Sequence, residues 1–561
     1  MTQPARPTKI LCYAPYLSWQ IHAAWEATML LALQADGAQV QYLLCDGVYP
    51  ICDLDTPTNP RTPQKCEKCQ AFQAGFLAQF PLSFRWLNRY LTDDDRHEVG
   101  TWTAALGAAT QAQLEDVSFD GQPLASWVRA SIHLMFKVEK LDLSNPDLRN
   151  VFIAFLVADA LAYRALCRAF DEHKPDLFFV FNGLRGSTKV AMEVARQRGV
   201  RTLTHERGGL KETVRLIEDD QCNAPDVLAR VWDAWRDVPL TTAQLQTTAT
   251  QLKGLAQGTN LSWIRYSPVP GQATDLHRQL GLDPTKPLWT AFTSSLYEFS
   301  GDPVHGGLTF SQDAWLEATI AFAKQHPEVQ VVIREHPNRP VSGKFRPIIQ
   351  ALNPHEVAFQ QMLETTLPPN MRYLGAQSPI SSYDLIEAST LGIAYISTIG
   401  VEMASRGLNV VMAGNGGYRG LPFLKSALSV EALKAAYEAA LRSPPLFRDA
   451  AIARQAHRFV YTWFHRWMLH LPMVEMPTPF TGKVRFRSMD ELARGKYADL
   501  DRLRRIVFEG ESVIPVPSAA ESQTDEADEV SFFSLAPAAP LTLTSAVPAL
   551  APPSPSQSHH P

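Results

Sequence analysis

The stretch GIAYISTIGVEMASRGLNVVMAG, residues 392–414, decides the architecture. Residues 392–398 and 408–414 are apolar runs that read as strands, and GVEMASRG between them reads as a short helix. A strand, a helix and a second strand in that order belong to a parallel sheet with helices on its faces. The first of these strands ends on Ser397, Thr398 and Gly400, polar and flexible residues placed where the buried run stops.

The same alternation extends outward in both directions. Residues 287–295 read as a strand, 311–327 as a helix, 329–337 (VQVVIREHP) as a strand and 382–390 as a helix. Earlier in the chain, residues 9–13 and 38–45 read as strands around a helix from about Trp19 to Ala35. Residues 175–183 and 200–209 read as strands around a Ser-capped helix at 187–199. The intervening part, about 75–170, reads as mostly helical. Its apolar stretch at 151–163 contains Asp159 and is too short for a membrane span, so it reads as a core helix. Two α/β halves therefore follow one another without a close internal repeat. The divisions expected are 1–265, 266–430, a helical 431–514 that packs back across both halves, and a Pro/Ala/Ser-rich tail, 515–561, with too little apolar content to fold. HRFVYTWFHRWMLHLP, 457–472, is aromatic and basic; it reads as a core helix bridging the halves, or as a helix lying on a membrane surface.

With 561 residues, 45% of them apolar, the chain has material for two large domains and an appendage. The net charge of -5 gives no reason to expect nucleic acid as a partner. The N-terminus meets Pro, Tyr and Trp too early to supply a cleavable apolar stretch, so a cytoplasmic location is expected. Four of the seven cysteines crowd one segment, Cys45, Cys52, Cys66 and Cys69, among Pro50, Pro57, Pro60 and Pro63, which argue against a long regular element there. Thiolates on a structural zinc or an iron–sulfur cluster would tie such a loop down; four ordinary thiols or two disulfides are the other readings.

In open parallel sheets, ligands bind beyond the carboxyl ends of the strands. In the second half those ends carry Ser294 and Ser295; Arg334, Glu335, His336 and Pro337; Ser397, Thr398 and Gly400; and Tyr418 near Gly414, Gly416 and Gly417. Hydroxyls, an imidazole, a guanidinium and free backbone N–H groups suit a phosphorylated ligand. A protonated His336 would stabilise a departing phosphate, Gly400 would let backbone approach it, and Glu402 would accept from ribose hydroxyls. In the first half, Asn182 and Arg185 follow one strand, His205, Glu206 and Arg207 another, and His22 and Glu26 lie four apart on a helix. These are the acceptor-side candidates, with Glu206 or His205 as general base.

Two successive Rossmann-like halves, a C-terminal helix that crosses back, and the pieces FTSSLYEF, VIREHP, SYDLIEAST and YISTIGVEMASRGLNVVMAG resemble a GT-B glycosyltransferase. More narrowly they resemble the bacterial capsule polysaccharide biosynthesis proteins, which include Kdo transferases. FNGLRG, HERGG and the Cys-rich segment also look like features of such proteins. The resemblance implies an α/β, GT-B-like fold with two domains facing a central cleft and a disordered tail. It implies a nucleotide sugar, CMP-activated among the options, bound by His336, Pro337, Ser397 and Thr398, with no cofactor required for the chemistry. It also implies a glycan or glycolipid acceptor and peripheral contact with the membrane or export machinery. Where such enzymes carry an acidic D/E-D/E-G motif for the base, this sequence shows none. A nucleotide-sugar epimerase and a non-catalytic assembly protein are the alternatives.

Overall fold

The computed structural model describes residues 6–535, apart from 260–262, 264–266, 272–274, 296, 298–299, 302–310, 338–346, 348–350, 353, 415 and 443–447. Its N-terminal sheet runs from β1 (Lys9–Tyr13), β2 (Gln39–Leu44) and β3 (Ser83–Trp86) to β4 (Leu177–Phe181), β5 (Arg201–Arg207) and β6 (Thr213–Glu218). β1 to β5 pair in parallel in the spatial order β3-β2-β1-β4-β5, and β6 follows antiparallel to β5. The helix Pro146–His173 is, by length and composition, apolar enough to cross a membrane. Here Phe152, Phe155, Leu156, Leu166 and Phe170 on it are buried in the core beside β4, as the sequence reading expects.

The second sheet comprises β7 (Leu288–Phe292), β8 (Gln330–Arg334), β9 (Met371–Leu374), β10 (Leu391–Tyr395), β11 (Val410–Ala413) and β12 (Lys425–Ala427). All its pairings are parallel, in the order β9-β8-β7-β10-β11-β12. Strand order reverses between β7 and β10, which creates a crevice at their carboxyl ends. The register sets Phe292 beside Arg334 and Tyr395 beside Ala413, so the residues that follow these strands emerge along one edge. The fold is α/β and GT-B-like: two doubly wound domains face a cleft.

The chain then returns to its beginning. The helix Ala450–Tyr461 continues into a wide helical turn, Thr462–Trp467, and β13 (Leu469–His470) joins the N-terminal sheet through β6. Trp463, Phe464 and Trp467 are buried, so the aromatic–basic segment is a core element between the domains and not a membrane-surface helix. Its helix stops earlier than expected. The hairpin β14 (Val474–Thr478) and β15 (Thr481–Val484), absent from the sequence reading, packs on the helix Gln20–Ala35.

Two further expectations are corrected. Residues 515–535, read as unstructured, include the helix Ala527–Leu535, whose Glu529 is fully buried against Arg458; the remainder of the tail, 536–561, lies outside the described residues. The proline-rich Cys segment does contain a regular element, the helix Pro63–Leu77, capped by the Thr62 hydroxyl. Pro63 occupies its first position, where the missing N–H costs nothing.

Candidate functional site

A cavity of about 440 Å³ opens at the carboxyl ends of β7, β8 and β10. Thr293, Glu335, His336, Pro337, Ser397, Thr398 and Glu402 line it from the second domain, Gly209 from the loop after β5, and Leu252, Leu255, Trp463 and Phe464 from the helices that join the domains. The imidazole and the Ser–Thr turn thus face one space, and that space faces the N-terminal domain.

His336 is held through both its backbone and its ring. Its backbone N–H donates to Thr293 Oγ1 at 2.8 Å, and its Nδ1 lies 2.8 Å from Ser295 Oγ. When Ser295 donates this bond, the ring proton sits on Nε2. Burial, with Arg334 beside it, holds the imidazole down at about 4. Where the sequence reading expects a protonated His336, burial thus favours the neutral ring, which offers an N–H rather than a charge. Arg334 is almost fully buried and lines the cavity, but it donates to the carbonyls of Leu374, Gly375 and Ser378, so it fixes the loop after β9. Glu335 Oε2 accepts from Ala376 N–H at 2.8 Å, and Oε1, also buried, has no protein partner among the described residues.

The turn after β10 is built on an uncommon backbone. Ile396 has φ +50°, a left-handed conformation that β-branched residues rarely adopt. This reversal carries Ser397 and Thr398 off the sheet and into the cavity wall. Its side chain demands glycine opposite: a Cβ at Gly416 would overlap Ile396 Cγ2, and one at Gly414 would stand 2.9 Å from Cγ1. Glu402 accepts from the Tyr383 hydroxyl at 2.6 Å, and burial pushes its carboxyl up. Tyr383 also lines the cavity, and Arg406 lies 5.2 Å from its ring centre.

Several candidates stand elsewhere. Gly400 is not in the wall; it packs against the flexible tip of Met412 on β11. Tyr418 is a core ring 6.1 Å from Trp463. Ser294 exchanges hydrogen bonds with the Gln312 side chain. His205 is fully buried, stacked on Phe179, with Nε2 2.8 Å from Glu26 Oε1, so neither member of that pair can meet substrate. His22 is buried among Trp19, Trp25 and Phe181, and burial lowers its basicity. Glu206 accepts from Asn182 Nδ2 and Arg207 N–H and is absent from the cavity wall. Arg185 and Ser187 anchor the Cys-rich loop by bonding Asp53; the expected Ser cap is therefore not formed.

The four cysteines are free thiols. Cys45, Cys52 and Cys69 accept from Gly47 N–H, Leu54 N–H and Gln73 Nε2. Burial pushes the Cys45 thiol up to about 11 and the Cys52 thiol well above its usual range, so both keep their protons. Among the described residues no three His, Cys, Asp or Glu side chains converge as a metal site.

Tyr383, Trp263, Trp463 and Phe464 line the cavity without having been singled out from sequence. The aromatic run at 457–472 was the one signal for two of them.

No family model matches the chain, and no curated protein matches it. Among solved structures, it is similar to the beta Kdo 2,4 transferase of Thermosulfurimonas dismutans KpsC (14% identity over 56% of this chain and 86% of that one, TM-score 0.35). It is similar also to the beta Kdo 2,7 transferase of the same protein (13%, 59% and 88%, TM-score 0.30). A third is the UDP-GlcNAc 2-epimerase of Neisseria meningitidis (10%, 82% and 98%, TM-score 0.25). Likenesses this distant carry no argument about activity.

Proposed function

We propose that the protein is a glycosyltransferase that takes a sugar from a nucleotide sugar and transfers it to a bacterial surface polysaccharide or glycolipid acceptor, on the cytoplasmic side. The observation that carries this reading is the shared cavity: His336, Ser397 and Thr398 face one space at the reversal point of a doubly wound sheet. The nucleotide phosphate sits between the His336 Nε2–H and the Ser397–Thr398 turn. Glu402 and Glu335 Oε1 accept from ligand hydroxyls. In transfer, the bond between the anomeric carbon and the phosphate oxygen breaks, the acceptor oxygen bonds to that carbon, and the proton of the acceptor hydroxyl passes to the released phosphate. The charge left on the phosphate meets donors already in place, which is where stabilisation counts most. Cleft closure, with Gly209 and Phe464 on the far wall, excludes water.

The test is incubation of the purified chain with CMP-, UDP- and GDP-sugars, with and without acceptor glycans, read by product mass. His336→Ala should lower transfer by about 100-fold or more while leaving the melting temperature nearly unchanged. Conversion of the sugar nucleotide without acceptor would instead mark an epimerase, and undiminished transfer by the variant would refute the role given to His336.

A further inference from the structure

Six large hydrophobic side chains are exposed among the described residues, and only two are aromatic, Trp263 and Phe480. They touch, with ring centres 5.3 Å apart at 71°. They come from distant parts of the chain: Trp263 lies between the two sheets, and Phe480 sits in the turn between β14 and β15. Trp263 is also a wall of the cavity, so the pair begins where the cavity opens. The Arg207 guanidinium lies 4.6 Å from the Trp263 ring centre and 6.0 Å from that of buried Trp25.

Phe480 is presented by a built turn. Its own N–H and that of Thr481 both donate to Thr478 Oγ1, at 3.2 and 3.1 Å. The hairpin is pinned to the helix Gln20–Ala35 at Gly482, where a Cβ would stand 2.8 Å from Ile21 Cα. The ring is thus carried on a fixed backbone, with 36% of the residue exposed.

Two exposed rings, with a guanidinium over one face of Trp263, leave the Phe480 ring and the outer side of Trp263 to meet a pyranose. The C–H face of a sugar packs on an aromatic face, and its hydroxyls accept from a charged donor. The pair is far smaller than a standard protein interface, and it continues directly into the cavity. We infer that Trp263, Phe480 and Arg207 form a ledge that holds the acceptor saccharide as it enters the cavity. This rests on the glycosyl-transfer reading.

The experiment uses the full chain, wild type and Phe480→Ala, with Phe480→Trp as the conservative variant. The probe is a ladder of oligosaccharides from partial hydrolysis of the producing cell's own surface polysaccharide. Titrations of the same proteins with CMP, UDP and GDP report on the cavity separately. Phe480→Ala should weaken saccharide binding, and raise the acceptor KM, by about tenfold, as loss of a central aromatic contact does. Nucleotide affinity should stay unchanged and Phe480→Trp should restore the saccharide. Failure of the wild type to bind the ladder while it binds nucleotide overturns the ledge and leaves the cavity reading standing. Failure to bind any nucleotide overturns the cavity reading itself. Equal saccharide affinity in wild type and Phe480→Ala also overturns the ledge, as does Phe480-dependent binding to phosphatidylglycerol vesicles without saccharide binding.

Discussion

His336 owes its chemistry to where the fold puts it. Buried at a strand end and hydrogen-bonded to Ser295, it stays neutral to about pH 4. Burial also holds His133 and His457 down at about 4. In the unfolded chain each protonates near its ordinary 6.5, so between 6.5 and 4 the unfolded state binds more protons. Their contribution to stability is present in full above about pH 6.5 and is lost as pH falls through about 4, on the order of 3 kcal/mol at most for each. Asp159, whose carboxyl burial pushes up, acts in the opposite sense. The histidine effect is therefore read as a difference. Urea unfolding of wild type and His457→Gln at pH 7.5, 6 and 5 should show the wild type losing more stability than the variant on acidification. Parallel losses would contradict the placement of His457. At this scale the sequence told a good deal: an apolar strand stopping on Arg-Glu-His-Pro, and another stopping on Ser-Thr, singled out His336, Ser397 and Thr398, which line one cavity. It did not tell that His205 is sealed beside Glu26, because burial depends on packing from elements far away in the chain.

Among the elements, the junction of β10 with the helix Ile399–Ala404 decides whether the cavity has its Ser397–Thr398 wall. The junction depends on Ile396 holding φ +50°, and Ile396 depends on having no side chain at 416. Gly416→Ala should cost about 1–3 kcal/mol, the usual range for overpacking. It should also weaken nucleotide binding more than a fall in stability explains, since the displaced turn carries Ser397 and Thr398. Thermal melts together with CMP titration at a temperature where both proteins are folded would check this, and unaltered affinity would show the turn to be dispensable. The parallel strands were legible because each is an apolar run followed by a helix signal. Gly400 was legible as a glycine after a strand but not for its place: it packs against Met412 and is not in the cavity wall. The hairpin β14–β15 was not legible, since its strands are short and only Val474 and Met476 bring buried apolar side chains to it.

In the whole molecule, the chain end straps together the helices that wall the cavity. Pro515 O accepts from Trp235 Nε1 at 2.7 Å, and Glu529 takes Arg458 through two nitrogens. Glu529 and Asp528 also accept from the backbone N–H groups of Leu240 and Thr242, at the start of the helix Thr242–Gln257. That helix supplies Leu252 and Leu255 to the cavity, and the segment after Arg458 supplies Val460, Trp463 and Phe464. A composition read as unable to fold alone thus gains its structure from acidic residues meeting a buried arginine and free helix N–H groups, partners no local reading reveals. Ending the chain after residue 514 leaves Arg458 buried without its carboxylates, a loss worth about 3–5 kcal/mol. The truncated protein should melt at lower temperature and bind nucleotide more weakly than the full chain. Adding Arg458→Met to the truncation should recover much of the stability, because it removes the stranded charge, but not the affinity, because the walls stay untied. Calorimetry on the three proteins with CMP as the probe separates these effects. A truncated chain that melts and binds like the full one would mean the strap holds nothing in place.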